Sequence, residues 1–286
     1  MGRFAESLAA GCRPLWVDAT AYAGRLLAGG HPPWRDVPAA VAWHRDTQAL
    51  IKSDVVALPV APVAQAWYDS DRELSASMRA KRRVTGPIKA LLAHDSLRRH
   101  LVELVEALRG SYREQPLALA LPSPRRWVAE AYRIAFDERP ELGEDEIDTA
   151  AMYLADFLRI FAESRLDIVL FEESADDEPH GPEEVEWYRS AINLAAHYGW
   201  DVGNYLPAAA HYRGGGSALA FLIAPRVFPG PPVGLVVPKQ WWQYGPLPEC
   251  PAQGFRFTEV PIDAEPETVL ERLAAWRQVA APCKTT

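Results

Sequence analysis

The sequence has few cysteines, no long apolar run and no excess of positive charge. Its three cysteines, Cys12, Cys250 and Cys283, lie far apart and form no Cys-x-x-Cys pair. This spacing predicts reduced thiols and no disulfide framework. The apolar runs are too short to span a bilayer, and the first residues lack the apolar core of a signal peptide. We therefore expect a cytoplasmic protein with no membrane partner.

The charge balance argues against a second class of partner. The 286 residues include 30 Lys and Arg against 38 Asp and Glu, which gives a net charge of −8. Because a protein of this charge repels phosphates, no nucleic-acid partner is expected. Apolar residues make up 49% of the chain, enough to bury a sizeable core. The length fits one β/α barrel of about 250 residues and predicts a single domain over 1–286.

One stretch, 165–174, indicates the fold class. It reads Arg-Leu-Asp-Ile-Val-Leu-Phe-Glu-Glu-Ser, an apolar run that ends on two carboxylates. Such a run is typical of a strand buried on both faces in a parallel sheet. A long amphipathic segment precedes it, and a polar loop and another helical pattern follow it. This order is the repeating unit of a β/α barrel, whose chemistry lies on the loops after the strands.

The same unit recurs along the chain, so the predicted fold is a single (β/α)8 TIM barrel. Several apolar runs stop at a proline, which helps to locate the strand ends. Strands are predicted over 13–18, 54–62, 116–121, 167–171, 201–206, 218–225, 233–237 and 255–262. Helical patterns cover 38–52, 95–113, 127–136, 144–164, 182–198 and 266–279.

Two adjacent carboxylates and one histidine are the candidate catalytic residues. Glu172 and Glu173 lie together at an enclosed strand end, where each raises the pKa of the other and one becomes suited to act as a general base. Because side chains alternate along a strand, only one of them points into the barrel, and the other is free to pair with a loop arginine. His211 is a candidate acid-base or phosphate-side group, or else an ordinary loop histidine.

Five further residues are candidates for substrate binding. Asp18 ends the first strand and is suited either to hydrogen-bond a substrate or to cap a helix. Arg25 is suited to hold a carboxylate or to form a surface ion pair. Trp241, Trp242 and Tyr244 follow the seventh strand and predict either a wall for an aromatic or cationic ligand or a hydrophobic plug or subunit interface.

Three segments resemble the uroporphyrinogen decarboxylase and cobalamin-independent methionine synthase superfamily of β/α barrels. They are Leu-Trp at 15–16 followed by Ala-Gly-Arg-Leu at 23–26, Ala-Leu-Pro-Ser-Pro at 120–124, and 163–174 around the fourth strand. The resemblance implies an enzyme with lyase or decarboxylase chemistry on a small or medium anionic substrate, without an organic cofactor. It also implies that Arg25 holds a carboxylate, that Glu172 or Glu173 moves a proton, and that the chain forms a homodimer.

The chain also departs from that superfamily. Decarboxylation of pyrrole acetates there uses two arginines that flank Ala-Gly, and only Arg25 is present, with Ala21 in the place of the first. The aspartate that ends strand two in the family falls near Ala61. These departures argue against uroporphyrinogen itself as the substrate.

Two alternative functions stay open at this point. A methyl or alkyl transferase of the same superfamily needs zinc to bind a thiol. The chain has no His-x-Cys pair, so its ligands would be a scattered set of His211, Cys250 and Glu172 or Glu173. A barrel without catalysis, kept to bind a partner, is the second alternative, and it predicts that tryptophans and prolines fill the strand ends.

Overall fold

Eight parallel strands form a single (β/α)8 TIM barrel, as the repeating apolar runs predict. A computed structural model describes residues 2–176, 181–209, 212–214, 218–251 and 253–279. Every strand pair is parallel, in the order β1-β8-β7-β6-β5-β4-β3-β2. The strands are β1 (Leu15–Asp18), β2 (Val56–Pro59), β3 (Leu117–Pro122), β4 (Ile168–Glu172), β5 (Asp201–Tyr205), β6 (Phe221–Ala224), β7 (Val233–Val236) and β8 (Phe255–Glu259).

Helices connect the strands and cover the barrel. In the described part of the chain, none of them combines the length and apolar character that crossing a bilayer requires. The α-helices are α1 (Arg3–Ala9), α2 (Thr20–Ala28), α3 (Val37–Ile51), α4 (Val60–Ser70), α5 (Arg72–Arg79), α6 (Gly86–Leu92), α7 (Asp95–Ser111), α8 (Pro124–Phe136), α9 (Glu144–Leu158), α10 (Pro182–Val185), α11 (Arg189–His197) and α12 (Pro266–Val279). Short 3-10 helices cover Arg159–Phe161, Glu186–Tyr188 and Lys239–Trp242.

The second strand is shorter than predicted. β2 ends at Pro59, and α4 begins at the next residue. Pro62, which we expected to stop the strand, instead lies in the first turn of α4. Proline is tolerated there because the N–H groups of the first turn have no partner within the helix. The apolar run therefore changes from strand to helix without a polar break, which its composition does not indicate.

Large rings fill the interior of the barrel. Trp16 lies within about 6 Å of Phe221, Phe255 and Phe257, measured between ring centroids. Gly203 faces Phe221, and a Cβ built on this glycine would lie 2.2 Å from the phenyl ring. The absent side chain therefore makes room for the large one on the next strand, as close packing of a barrel interior requires.

The helix α1 covers the N-terminal end of the barrel. Its Phe4 and Leu8 are buried among the interior side chains. The carboxylate of Asp201, the first residue of β5, accepts hydrogen bonds from the backbone N–H of Gly2 at 2.7 Å and of Ala5 at 2.8 Å. These two N–H groups would otherwise be unpaired at the start of the helix. Asp201 thus fixes α1 to the barrel across almost 200 residues of sequence.

Side chains close the seam between β1 and β2, which share no ladder within the described residues. The carboxylate of Asp54 accepts the N–H of Leu15 at 2.7 Å, and the hydroxyl of Ser53 accepts the N–H of Val17 at 3.0 Å. Asp54 also donates its own N–H to the carbonyl of Leu15. Burial raises the pKa of the Asp54 carboxyl, and its hydrogen bond from Leu15 opposes that rise.

The cysteines differ from the prediction in one respect. Cys12 is disulfide-bonded, although the cysteine spacing predicted reduced thiols. Cys250 is a free, half-buried thiol, and Cys283 lies outside the described residues. Spacing along the chain did not indicate the disulfide because the fold decides which cysteines approach each other.

Candidate active site at the barrel mouth

Four polar side chains form the last inward-facing layer at the C-terminal ends of the strands. Asp18, Glu172 and Glu259 each lie two residues beyond a member of the barrel's interior cluster, and Tyr205 belongs to that cluster. Because side chains alternate along a strand, all four face inward. The C-terminal face is where β/α barrels place their chemistry.

Glu172 is next to a cation, the guanidinium of Arg126. Its side chain is 23% exposed, and its carboxylate lies 3.7 Å from the guanidinium of Arg126. Arg126 is in the first turn of α8 and also donates to the carboxylate of Glu130, one turn later, at 2.7 Å. Arg126 is thus shared between two carboxylates and neutralises neither one completely.

Burial raises the pKa of Glu172 to about 7, and the nearby carboxylates of Asp18 and Glu259 add to the rise. The charge of Arg126 opposes it. A carboxyl with this pKa is protonated about half of the time at neutral pH. It is therefore suited both to donate and to accept a proton there.

Tyr205 and Glu259 form a hydrogen-bonded pair beside Glu172. The phenol of Tyr205 donates to the carboxylate of Glu259 at 2.7 Å, and Tyr205 is the register partner of Glu172 in the neighbouring strand. Burial, followed by the charge of Glu259, raises the pKa of Tyr205. The phenol therefore stays protonated and serves as a hydrogen-bond donor.

Glu173 faces the opposite side of β4 and is 2% exposed. Ser123 donates its hydroxyl to one carboxylate oxygen at 2.5 Å, and Tyr188 donates to the other at 2.8 Å. The prediction that only one of the two glutamates points into the barrel is confirmed, and Glu172 is that residue. Glu173 is held by hydroxyl groups, whereas the nearby Arg125 pairs with Glu184.

The surroundings of Glu173 fit a neutral carboxyl. Burial raises its pKa to about 7, although the hydrogen bonds from Ser123, Tyr188 and Asn204 oppose the rise. The side-chain amide of Asn204 lies 3.4 Å from Glu173, and its buried Oδ1 has no hydrogen-bond partner. If this amide is turned by 180°, Oδ1 can accept the proton of a neutral Glu173, and Nδ2 then takes the unpaired position.

Asp18 lies at the mouth but also has a local role. Its Oδ1 accepts the backbone N–H of Thr20, the first residue of α2, at 2.8 Å. Arg25 lies in α2 and is exposed. Its exposed guanidinium donates to the backbone carbonyls of Ile262 and Ala264 in the loop after β8. The expectation that Arg25 holds a substrate carboxylate stays a prediction, and two of the five guanidinium donors are engaged by these carbonyls.

Two of the three predicted aromatic contacts lie in the core. Trp241 and Trp242 are 4% and 2% exposed and pack between the outer face of β1 and α12. Trp241 meets Trp276 edge to face at 5.3 Å, and the Trp242 indole N–H donates to Thr258. These two residues are core side chains outside the barrel and form no ligand wall, whereas Tyr244 is 65% exposed on the surface.

The scattered zinc ligands do not converge. His211 lies outside the described residues. The thiol of Cys250 contacts the carbonyl of Gly254, which directly precedes β8, so Cys250 lies at the N-terminal end of the barrel. Cys250 and Glu172 are therefore at opposite ends. Among the described residues, no three His, Cys, Asp or Glu side chains are arranged to hold a metal ion.

Sequence reasoning missed three residues of the site: Arg126, Tyr205 and Glu259. The alternation of Phe255 and Phe257 in strand eight points Glu259 inward, and this signal was present in the sequence. A serine before a proline after strand three marks a helix start, which places Arg126 in a first turn at a strand end.

Comparison with known proteins gives a match to the fold alone. No protein-family model and no curated protein sequence matches the chain. A solved structure of a methyltransferase from Methanosarcina mazei superposes with a TM-score of 0.58 at 12% identity, covering 98% of this chain and 98% of that one. Tryptophan synthase subunit alpha from Legionella pneumophila gives a TM-score of 0.41 at 13% identity, covering 96% and 99%. The second score is too low to support an argument.

Proposed function

We propose that this barrel is an enzyme in which Glu172 transfers a proton to or from a small molecule bound at the mouth. The position of Glu172 carries this proposal: it is an inward-facing, largely buried carboxyl between Arg126 and two further carboxylates. Titratable groups whose environments shift their pKa toward neutrality are frequent in active sites. The chemistry we favour is that of a lyase related to the uroporphyrinogen decarboxylase superfamily, with a substrate other than uroporphyrinogen.

In a decarboxylation, the bond between the substrate carbon and its carboxylate breaks, and carbon dioxide leaves. The electron pair stays on the carbon, and the carboxyl of Glu172 donates its proton there. Glu172 becomes a carboxylate and recovers a proton from water. Burial, with the carboxylates of Asp18 and Glu259, favours this course because it raises the pKa of Glu172 to about 7, so that about half of the molecules carry the proton at neutral pH. Arg126 is the cation that would hold the anionic substrate.

The charged mouth also weighs against a barrel that only binds a partner. That alternative predicted strand ends filled by tryptophans and prolines. Trp241 and Trp242 instead pack outside the barrel, while the inward layer carries Asp18, Glu172 and Glu259. Three carboxylates in one layer repel each other and lower the stability of the fold. Such a cluster is better explained by a catalytic role than by a role in packing.

A methyl or alkyl transferase is the second candidate, because the neighbour that aligns along 98% of the chain is itself a methyltransferase. Thiol transfer in this superfamily would require zinc. The described residues do not supply its ligands, since Cys250 and Glu172 lie at opposite ends of the barrel. Elemental analysis of protein purified without chelators tests this candidate, and near one zinc per chain would favour it over the lyase.

The decisive measurement for the first candidate follows the side-chain carboxyl signals of glutamate by 13C NMR from about pH 4 to about pH 9. This range includes the pKa of about 7 of Glu172. We expect two signals to titrate near pH 7, one of which vanishes in Glu172→Gln. Glu163→Gln is the matched control, because Glu163 is exposed on the surface. Glu173, which titrates in the same range, is assigned with Glu173→Gln.

The same variants then enter a screen of small carboxylic acids for carbon dioxide release. We expect turnover by the wild type and by Glu163→Gln, and a loss of about 100-fold or more in Glu172→Gln. If every Glu172 signal titrates below about pH 5.5, or if Glu172→Gln retains full turnover, the proposed role of Glu172 is wrong.

A further inference from the structure

A small cavity lies beside the mouth, among helices that follow β2 and β3. Its volume is about 260 Å³, and it is enclosed by α4, α5, α6 and α8. Ala64, Met78, Leu91 and Trp127 give it an apolar wall. A larger cavity of about 710 Å³ lies at the other end of the barrel, next to Gly2 and Asp201, away from the carboxylates of the mouth.

A stripe of charged residues on α8 connects the small cavity to Glu172. Arg126, Glu130 and Arg133 are spaced by four and three residues, so they lie on one face of the helix. Arg126 contacts Glu172 at one end of the stripe, and Glu130 and Arg133 line the cavity at the other. Seven residues of helix span about 10 Å. Arg133 therefore lies about 10 Å along the helix from the arginine that contacts Glu172.

The lining of the cavity carries two opposite charges, those of Glu130 and Arg133. Glu130 accepts from Arg126 at 2.7 Å and is already paired. The guanidinium of Arg133, by contrast, makes no hydrogen bond or ion pair in the described part of the chain and is exposed at the cavity rim. An apolar wall with one uncommitted guanidinium at its edge complements an anion that carries an apolar body.

We infer that this cavity binds the part of the substrate that is remote from the reacting carbon, and that this part is an aryl or branched-alkyl carboxylic acid. Its carboxylate pairs with Arg133, and its apolar body contacts Met78, Leu91 and Trp127. The rest of the molecule passes Glu130 and Arg126 toward Glu172. The role of this ligand as a substrate rests on the proposed function. Its binding in the cavity does not depend on that function.

The test uses phenylacetate as the probe and phenylacetamide as its neutral isostere. Both are titrated into 15N-labelled full-length protein, and the indole signal of Trp127 is assigned with Trp127→Phe. We expect phenylacetate to shift this signal saturably and to bind about tenfold more tightly than the amide, a difference of about 1.4 kcal/mol. Ala64→Leu, which fills the cavity, should abolish the binding of both probes.

Arg133→Gln should remove the preference for phenylacetate and make the two dissociation constants equal within about twofold. The matched control is Arg139→Gln, because Arg139 is an exposed arginine beyond the end of α8 that lies 4.0 Å from Asp176. This control should keep the tenfold preference.

The outcomes separate this inference from the proposed function. Glu172→Gln should bind phenylacetate as the wild type does, since Glu172 does not line the cavity. If no saturable shift of Trp127 occurs up to about 10 mM, or if Arg133→Gln leaves the preference intact, the inference is overturned even where Glu172 titrates near pH 7. If phenylacetate binds as expected but Glu172 titrates normally, the cavity site stands and the proposed function fails.

Discussion

Glu172 and Glu173 show how a shift of one residue along a strand changes the surroundings of a carboxyl, because neighbouring side chains face opposite sides of the sheet. Burial raises the pKa of both to about 7. Glu172 faces other carboxylates and one arginine at an open mouth, whereas Glu173 faces hydroxyl and amide groups in the core. The first environment is suited to exchange protons with a ligand, and the second to hold a neutral acid in place.

At the residue scale, we predict that Glu173→Gln weakens the pH dependence of stability. An unfolded glutamate loses its proton near pH 4.3, whereas folded Glu173 keeps it until about pH 7. Between these values the unfolded state binds fewer protons, so stability is highest below the window and falls as the pH rises through it. Glutamine remains neutral and avoids this loss, which is on the order of 1 to 3 kcal/mol.

This effect is measured by urea unfolding at about pH 5, 7 and 8.5. These values lie on both sides of the pKa of about 7 of Glu173. The wild type should lose stability across the series, and Glu173→Gln should lose markedly less, with the remaining slope arising from Glu172. Glu106→Gln on the exposed face of α7 is the control. Equal slopes in wild type and Glu173→Gln would show that Glu173 is ionised in the folded protein at neutral pH.

At the element scale, α8 links the buried cluster to the site. The hydroxyl of Ser123 accepts the N–H of Arg126 at 3.1 Å and so caps the helix, while it donates to Glu173. The same turn presents Arg126 to Glu172. One serine therefore fixes the start of the helix that carries the cation of the mouth and the wall of the cavity.

We predict that Ser123→Ala lowers the free energy of unfolding by about 1 to 3 kcal/mol, because it removes a helix cap and a buried hydrogen-bond partner at once. Ser123→Thr, which keeps the hydroxyl, should recover most of the loss. Ser111→Ala is the matched control: this exposed hydroxyl bonds only the carbonyl of Ala107 in its own helix. If both alanine variants unfold at the same urea concentration, the cap makes no contribution.

At the scale of the whole molecule, the barrel depends on a seam that lacks a ladder. Leu15 and Val17 of β1 donate to the side chains of Asp54 and Ser53 in place of a neighbouring strand. Seven of the eight neighbouring strand pairs of a closed barrel are joined by ladder hydrogen bonds. The eighth is joined by two polar side chains at the N-terminal end of the strands.

We predict that Asp54→Ala costs about 1 to 3 kcal/mol, because the N–H of the buried Leu15 then loses its acceptor in a partly buried bond across the seam. Asp54→Asn should cost less, because its amide oxygen accepts the same hydrogen bond. The asparagine is also uncharged, so it avoids the burial of charge that raises the pKa of Asp54. Thermal unfolding compares the two with Asp46→Ala, a change at an exposed position of α3. Equal losses for Asp54→Ala and Asp46→Ala would contradict a role for the seam.

The sequence by itself determined the fold class and that only one of Glu172 and Glu173 points into the barrel. A parallel strand that is buried on both faces must be apolar along its length. Such strands therefore appear in the sequence as apolar runs that end on polar residues. The end of β2 was misplaced, because a proline after an apolar run fits both a strand end and a first helical turn.

Only the tertiary structure decided which polar residues meet. Asp18, Arg126 and Glu259 come from distant parts of the sequence, and closure of the barrel alone brings their charges to Glu172. Arg25, Trp241 and Trp242 also follow strands, but they make other contacts. Arg25 donates to backbone carbonyls in the loop after β8, and the two tryptophans pack against α12. Local patterns report which residues follow a strand, whereas long-range packing sets which of them face the mouth.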